Sequence, residues 1–425
     1  MASDAHDALN SLYDVLNVEA APDVNAEAIL TWLQEQGARN EGVCVEPSRC
    51  FDGGLGVFAT RAFASGDAIL RVPLVAVLRR ASLPADIGAW LRIAERPQLE
   101  GEARLLALLL HQRASIEAGG TAGRFAPYVR ALPLELATLL PVGWSDAQLA
   151  LLEGTPLLAQ VVEARTSLRE LQRALGCEWE PLLWAHAAYH SRAIALTLDG
   201  VAGEGCLVPL LDYCNHRNGS LHAVGVEGDA VVLRAGLAVN AGDEVLLNYG
   251  AKGNGELLRC HGFVMQENPA DVVPLDLYSL APSTARLALL ARERLPLRHH
   301  LFHGGLPAQL LDAVRLLCAP TDEAAAALCD AFEKRAPQFI DWNAIDWAAD
   351  DDAAAEPEVA DPPVQSAADE ANARARLAAL VRAALDAVRG DEGTSAAGAP
   401  GSVEAMCQTY RAGVRSLLRE ALERI

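Results

Sequence analysis

The sequence predicts an α+β protein in which short strands are interrupted by a helical insertion and followed by a mainly α-helical C-terminal domain. Three observations predict this. Strand-like runs of β-branched and apolar residues, Val57-Phe58-Ala59-Thr60, Ala68-Ile69-Leu70-Arg71-Val72-Pro73, 230–234 and 244–248, are short and bounded by Gly, Asp and Ser turn signals. Between them, from about 85 to 195, apolar residues recur at helical spacing, most densely at Leu105, Leu106, Leu109 and Leu110. After about Pro269 the helical spacing returns and continues to the end of the chain.

Composition bounds the possible functions. A chain of 425 residues, 51% of them hydrophobic, is long enough for roughly two or three domains of about 100–200 residues each. The net charge of -21 disfavours nucleic acid as a primary partner, because a surface that neutralises many phosphates needs clustered Lys and Arg. It suits attraction of a basic peptide. Nine cysteines are scattered without a C-x-x-C pair or metal-ligand spacing, which points to a reduced intracellular setting and to no structural metal. No run reaches the roughly 18 apolar residues of a membrane span. Asp4, Asp7 and Asp14 with no early Arg argue against a transit or signal peptide.

Taken in order, the first element is an amphipathic helix over 25–37, with Ile29, Trp32 and Leu33 on one face, Asn25 as N-cap and Gly37 as terminator. Gly54-Leu55-Gly56-Val57-Phe58-Ala59 satisfies the dinucleotide fingerprint G-x-G-x-x-A. That fingerprint needs a strand before it and a helix after it. Upstream, Glu46-Pro47-Ser48-Arg49-Cys50 reads as a turn, and downstream the strands 57–60 and 68–73 are joined through Ser65-Gly66-Asp67. A dinucleotide site is therefore not expected. The strands 230–234 and 244–248 flank the turn signal Asn240-Ala241-Gly242-Asp243, which places Tyr249 at a strand end. Residues 350–369, rich in Ala, Asp, Glu and Pro, read as a disordered acidic loop. Beyond it Leu377, Leu380, Val381, Leu385 and Val388 form one helical stripe, and Tyr410, Val414, Leu417, Leu418 and Leu422 a second.

The stretch 207–263 carries the chemistry. Polar residues lie inside apolar surroundings at both of its ends, and a buried polar group costs free energy unless a partner satisfies it. One end reads Val208, Pro209, Leu210, Asp212, Asn215, His216; the other reads Tyr249, Gly250, Lys252, Asn254, Glu256, Leu257, Leu258. In this order the two segments resemble the V-P-L-x-D-x-x-N-H and Y-G-x-K-x-N-x-E-L-L segments of the SET-domain methyltransferases. The branch is that of the Rubisco large-subunit and actin-histidine methyltransferases. The fingerprint at Gly54, continued by Thr60 and Arg61, resembles the opening of a SET domain, although Gly53 stands where the family often has an acidic residue. His190-Ser191-Arg192-Ala193-Ile194 resembles its S-R-x-aromatic motif, and 127–133 and 152–157 resemble landmarks of its helical insertion.

The resemblance implies a SET domain over 41–266, preceded by an N-terminal helical segment over 1–40. A helical insertion at about 85–195 and a helical substrate-binding-like domain over 267–425 complete it. It implies S-adenosylmethionine as cofactor, bound by Gly54, Leu55, Ser191, Arg192, Asp212, Asn215, His216, Gly262 and Phe263. On the same resemblance Arg192 is expected to pair with the cofactor carboxylate, Tyr249 to be the catalytic residue at the methyl group, and Ile194 and His261 to line the substrate pocket. A protein lysine is the expected acceptor, because lysine is the commoner acceptor in the family and apolar Ile194 and Phe263 suit an alkyl chain; His261-Gly262-Phe263 stands where much of the branch has Y-G-F and keeps histidine as the alternative. A SET module that binds peptide with little turnover and a purely helical adaptor are the readings from other classes. The expected setting is intracellular, cytoplasmic or nuclear, with organelle import left open. Partners are a protein or peptide substrate and no membrane; oligomeric state is left open.

Overall fold

The computed structural model describes residues 22–49, 54–82, 102–118, 123–198, 200–280, 282–332, 366–388 and 401–425. They divide into two compact units, Met1–Gly143 with Arg165–Gly250 and Trp144–Ala164 with Ala251–Ile425.

The first unit opens with the helix Pro22–Glu35. It begins before Asn25, with proline at the first helical position, where the missing N–H is no loss. It ends at Gly37, whose φ of 88° no β-carbon has to tolerate. Strand β1, Val43–Pro47, pairs antiparallel with β2, Leu55–Ala59. Part of the stretch expected as a turn is thus a strand. The segment after the glycines is a strand too, so the helix a dinucleotide site requires is absent at this point.

Strand β3, Ala68–Pro73, does not pair with β2 through Ser65-Gly66-Asp67 as its sequence suggests. Its partner is the distant β7, Ala230–Arg234. Strands β4, Ile194–Leu198, and β5, Val201–Cys206, form a hairpin, and β6, Ala223–Glu227, completes the three-stranded order β3-β7-β6. Central β7 buries Ala230, Val231, Val232 and Leu233 in succession, the near-continuous apolar run of a strand covered on both faces. Residues 244–248 are not a strand. They make isolated bridges, Glu244 antiparallel to Phe58 and Leu247 parallel to His216.

Helix Glu102–Glu117 buries Leu105, Leu106, Leu108, Leu109 and Leu110, too many faces for a surface helix, and packs against helix Trp179–Arg192. Buried Trp184 on the latter donates its indole N–H to the Pro133 carbonyl at 2.9 Å, which meets the polar requirement of an enclosed indole.

In the second unit, helices Ala308–Cys318, Asp322–Phe332, Ala367–Ala387 and Val403–Arg424 enclose one apolar core. Leu310, Ala313, Val314, Leu377, Val381, Tyr410, Val414 and Leu417 meet in it. The two C-terminal stripes are therefore the buried faces of the last two helices. Buried Arg286 donates to the carbonyls of Leu316 at 2.8 Å, Ala319 at 3.0 Å and Thr321 at 2.7 Å. These include orphan acceptors at a helix C-terminus. Arg315 grips Glu370 with two bonds of 2.8 and 2.9 Å, a bidentate tie between two helices.

The hairpin of β8, Val272–Asp276, and β9, Arg298–Phe302, interrupts the helical pattern expected here. Most of the expected acidic loop lies outside the described residues. Its end does not, because Ser366 accepts the Asp369 N–H at 3.1 Å and starts the helix Ala367–Ala387. Among the described residues no cysteine forms a disulfide, and no helix is long and apolar enough to cross a membrane.

Candidate active site

Three segments of the first unit converge on Asp212. Helix Trp179–Arg192 delivers Arg192 at its last residue, helix Ala126–Ala131 delivers Tyr128, and the short 3-10 turn Leu211–Tyr213 carries the carboxylate itself. The turn is entered through buried Leu210 at φ 73° and ψ -41°, a conformation a leucine holds only when its surroundings dictate it. Asp212 Oδ2 accepts the Tyr128 hydroxyl at 2.8 Å and Arg192 Nη1 at 3.2 Å. Nη1 also reaches the Asp212 carbonyl at 3.4 Å, and the guanidinium lies 5.3 Å from the Tyr213 ring centre.

The Asp212 side chain is 0% exposed and that of Arg192 16%. Burial pushes the Asp212 carboxyl up, while the guanidinium and the Tyr128 hydroxyl pull it back. Burial of Arg192 works against its charge, but the Asp212 carboxylate outweighs that and holds it cationic. Arg192 Nε and Asp212 Oδ1 are buried without a hydrogen-bond partner among the described residues. A donor and an acceptor left unmet on two paired residues suit a ligand carrying both a carboxylate and an ammonium group.

Tyr249 follows the bridged segment. Its hydroxyl donates to the Cys214 carbonyl at 2.8 Å and its backbone N–H donates to His216 Nδ1 at 3.1 Å. Since Nδ1 accepts, the ring proton sits on Nε2 and is donated to Asn218 Oδ1 at 3.0 Å. Burial raises the phenol well above its ordinary value, so Tyr249 stays protonated at neutral pH. It is not a base; its hydroxyl oxygen keeps lone pairs for weak donors.

Asn215 joins the same wall to the opening of the domain. Its Nδ2 donates to the Leu55 carbonyl and to Glu244 Oε1, both at 2.9 Å. Glu244 in turn accepts the Ser48 hydroxyl at 2.8 Å and the Arg49 N–H at 3.0 Å. A β-carbon on Gly56 would lie 2.3 Å from Glu244 Oε1 and 3.3 Å from Asn215 Nδ2, so glycine is required here by the protein's own brace. The Asn215 carbonyl accepts the Leu247 N–H at 2.8 Å, so what Asn215 can still offer a ligand is its side-chain oxygen.

The structure thus joins Leu55 to Asn215, Arg192 to Asp212, and His216 to Tyr249. The carbonyl of Gly54 accepts the Ser48 N–H at 2.8 Å. Ser191 turns its hydroxyl to the Ala187 carbonyl at 2.6 Å, a bond to its own helix. Ile194 starts β4 opposite Cys206. Gly53 lies outside the described residues.

His261, Gly262 and Phe263 belong to the second unit, where Gly262 ends the helix Asn254–His261 at φ 77°. The His261 and Phe263 rings stand 6.2 Å apart. The motif residue Asn254 is a buttress there. Its N–H meets Asp271 Oδ1 at 2.8 Å, its Nδ2 the Met265 carbonyl at 2.9 Å, and its Oδ1 the Met265 N–H at 2.8 Å. Lys252 pairs with Glu256 one turn away.

Sequence reasoning did not assign Tyr128 or Glu244 to the site. Tyr128 stands in a landmark of the insertion, a signal that could have found it. Nothing local marks Glu244, because Ser48 and Asn215 reach it from distant parts of the chain.

No family model matches the sequence. The chain is 26% identical over 323 residues to the actin-histidine N-methyltransferase of Rattus norvegicus, across 69% of this chain and 52% of that protein. It is 25% identical over 323 residues to that of Homo sapiens, across 69% of this chain and 53% of that one. The chain spans about half the length of the curated relatives it matches. The crystal structure of the SET domain of LSMT bound to lysine and AdoHcy superposes with a TM-score of 0.71 at 19% identity. That match covers 96% of this chain and 91% of the other. Rubisco LSMT bound to AdoMet gives 0.70 at 19% identity, over 94% and 91%. The fold is that of the SET domain of these proteins.

Proposed function

We propose that the chain is an S-adenosylmethionine-dependent protein N-methyltransferase whose acceptor is a lysine side chain of a protein substrate. The observation that carries this reading is the buried cluster of Tyr128, Arg192 and Asp212, with a donor and an acceptor unmet, on the same segment whose Cys214 carbonyl fixes Tyr249. The cofactor, when bound, supplies an electrophilic methyl carbon on a sulfonium. Arg192 and Asp212 are the groups that would hold its amino-acid end, and Gly54, Leu55, Ser191, Asn215 and His216 are the further cofactor contacts proposed in the first unit. Tyr249, whose hydroxyl donates to the Cys214 carbonyl, would offer oxygen lone pairs rather than a negative charge to a polarised C–H group, a weak contact that positions more than it activates. Ile194 is proposed for the substrate pocket, and 267–425 for holding the protein substrate. Aligning acceptor and methyl group supplies much of the rate, on the order of 7–11 kcal/mol in well-oriented reactions.

A histidine acceptor is the second reading. It is favoured by His261 in place of a tyrosine and by the likeness to actin-histidine N-methyltransferases. Incubation with labelled S-adenosylmethionine and a protein extract, followed by mapping of the labelled residue, separates the readings. Label on a lysine Nζ supports the first and label on an imidazole nitrogen the second. An absence of both cofactor binding and label overturns the enzymatic reading.

A further inference from the structure

We propose that Glu102, His186 and His190 form a binding site for one divalent transition-metal ion, with zinc the ion their chemistry fits best. The inference goes beyond the methyltransferase reading and does not depend on it.

His186 and His190 stand four residues apart on helix Trp179–Arg192, the spacing that puts two side chains on one helical face. Their ring centres are 4.1 Å apart and tilted by 55°, so the imidazoles converge rather than splay. Glu102 is the first residue of the helix Glu102–Glu117 packed against them. Its Oε1 lies 2.9 Å from His190 Nε2 and 3.5 Å from His186 Nδ1.

The candidate ligand atoms all lie within 4.8 Å of one another, and all three residues are partly buried. Bonds of about 2.0–2.1 Å at tetrahedral angles separate two ligand atoms by about 3.3 Å, and the two measured edges bracket that value. An ion can therefore sit among the three with small side-chain adjustment. Two imidazoles and a carboxylate suit zinc and its neighbours rather than magnesium or calcium, which take oxygen. Three protein ligands leave a fourth position for water.

The site is absent from a reading based on cysteine spacing because two of its ligands are one turn apart and the third is 88 residues from His190. Its place in the fold gives it a consequence. An ion there ties two helices of the first unit together, and one of them ends two residues later in Arg192.

The test uses the full-length chain, reduced and freed of metal by chelation. Zinc is titrated against a chromophoric chelator, and cobalt(II) is added separately for its ligand-field spectrum. One equivalent of zinc is expected, with a cobalt spectrum of nitrogen and oxygen ligands lacking thiolate charge transfer. His190→Ala and Glu102→Gln should each weaken zinc binding by about 100-fold or more, since even loss of a group supporting a ligand costs about 10–100-fold. Glu102→Gln keeps the size of the side chain, so it remains informative if His190→Ala fails to fold. Failure of the wild type to bind an equivalent overturns the proposal. So does unchanged affinity in folded Glu102→Gln, or a thiolate spectrum that places the ion on cysteines.

Discussion

Replacing Arg192 with methionine keeps most of the side-chain volume and removes the charge facing Asp212. At 3.2 Å and an effective dielectric of about 20, the attraction between the two groups is about 5 kcal/mol. Deleting one partner of a buried pair costs about 3–5 kcal/mol, because the other is left charged and unmet. The Asp212 side chain is fully enclosed, so Arg192→Met should lose about 3–5 kcal/mol in urea unfolding followed by tryptophan fluorescence. Asp212 would limit the loss by taking up a proton. Its folded pKa, already raised by burial in the wild type, would rise further above its unfolded value without the guanidinium, and stability would fall as pH rises through the folded value. The gap to wild type should therefore be wider at about pH 8 than at about pH 5. Arg192→Met combined with Asp212→Leu should recover at least ~2 kcal/mol of the single variant's loss. A single loss below ~1 kcal/mol, no pH dependence, or a double variant equal to the sum of the singles would refute the assignment of a buried, mutually dependent pair.

Tyr249→Phe should keep cofactor affinity by calorimetry and lower turnover by about 10²-fold, the effect of deleting one positioned polar group; an unchanged rate at saturating cofactor removes Tyr249 from the chemistry. Gly56→Ala forces a β-carbon onto the Glu244 carboxylate, which Ser48, Arg49 and Asn215 hold in place. It should cost about 1–3 kcal/mol, and a melt identical to wild type would show that the brace is soft. Burial lowers the imidazole of His299 to about 4, against a hydrogen bond to Pro296 that raises it. The unfolded chain then binds the extra proton first, and stability is lost as pH falls from about 6.5 to about 4, up to about 3 kcal/mol. His299→Leu should flatten that limb, and a limb of unchanged depth would place the acid sensitivity elsewhere. The methylation rate with a lysine acceptor should still climb above about pH 8, whereas a histidine acceptor should plateau once its imidazole is neutral.

The elements that were legible in the sequence are those whose signal is local. Strands at 68–73 and 230–234 and the last two helices follow from side-chain spacing alone, since period and burial act within a few residues. The V-P-L and Y-G segments, read in order, point to the fold, and the bridge between His216 and Leu247 sets the first beside the residues that lead into Tyr249. The hairpin Val272–Asp276 with Arg298–Phe302 was hidden because Pro274 reads against a strand and its partner lies far along the chain.

What the sequence determined by itself is which residue types the site has available: a cation at Arg192, a carboxylate at Asp212, a phenol at Tyr249. Only the tertiary structure decided their partners. It paired strand Ala68–Pro73 with Ala230–Arg234 instead of its neighbour, left 244–248 outside any sheet, and brought Tyr128 to Asp212 across 84 residues and Ser48 to Glu244 across 196. A buried polar atom takes whichever partner removes it from water at the lowest cost. That choice depends on what the whole chain packs beside it, which no local window contains.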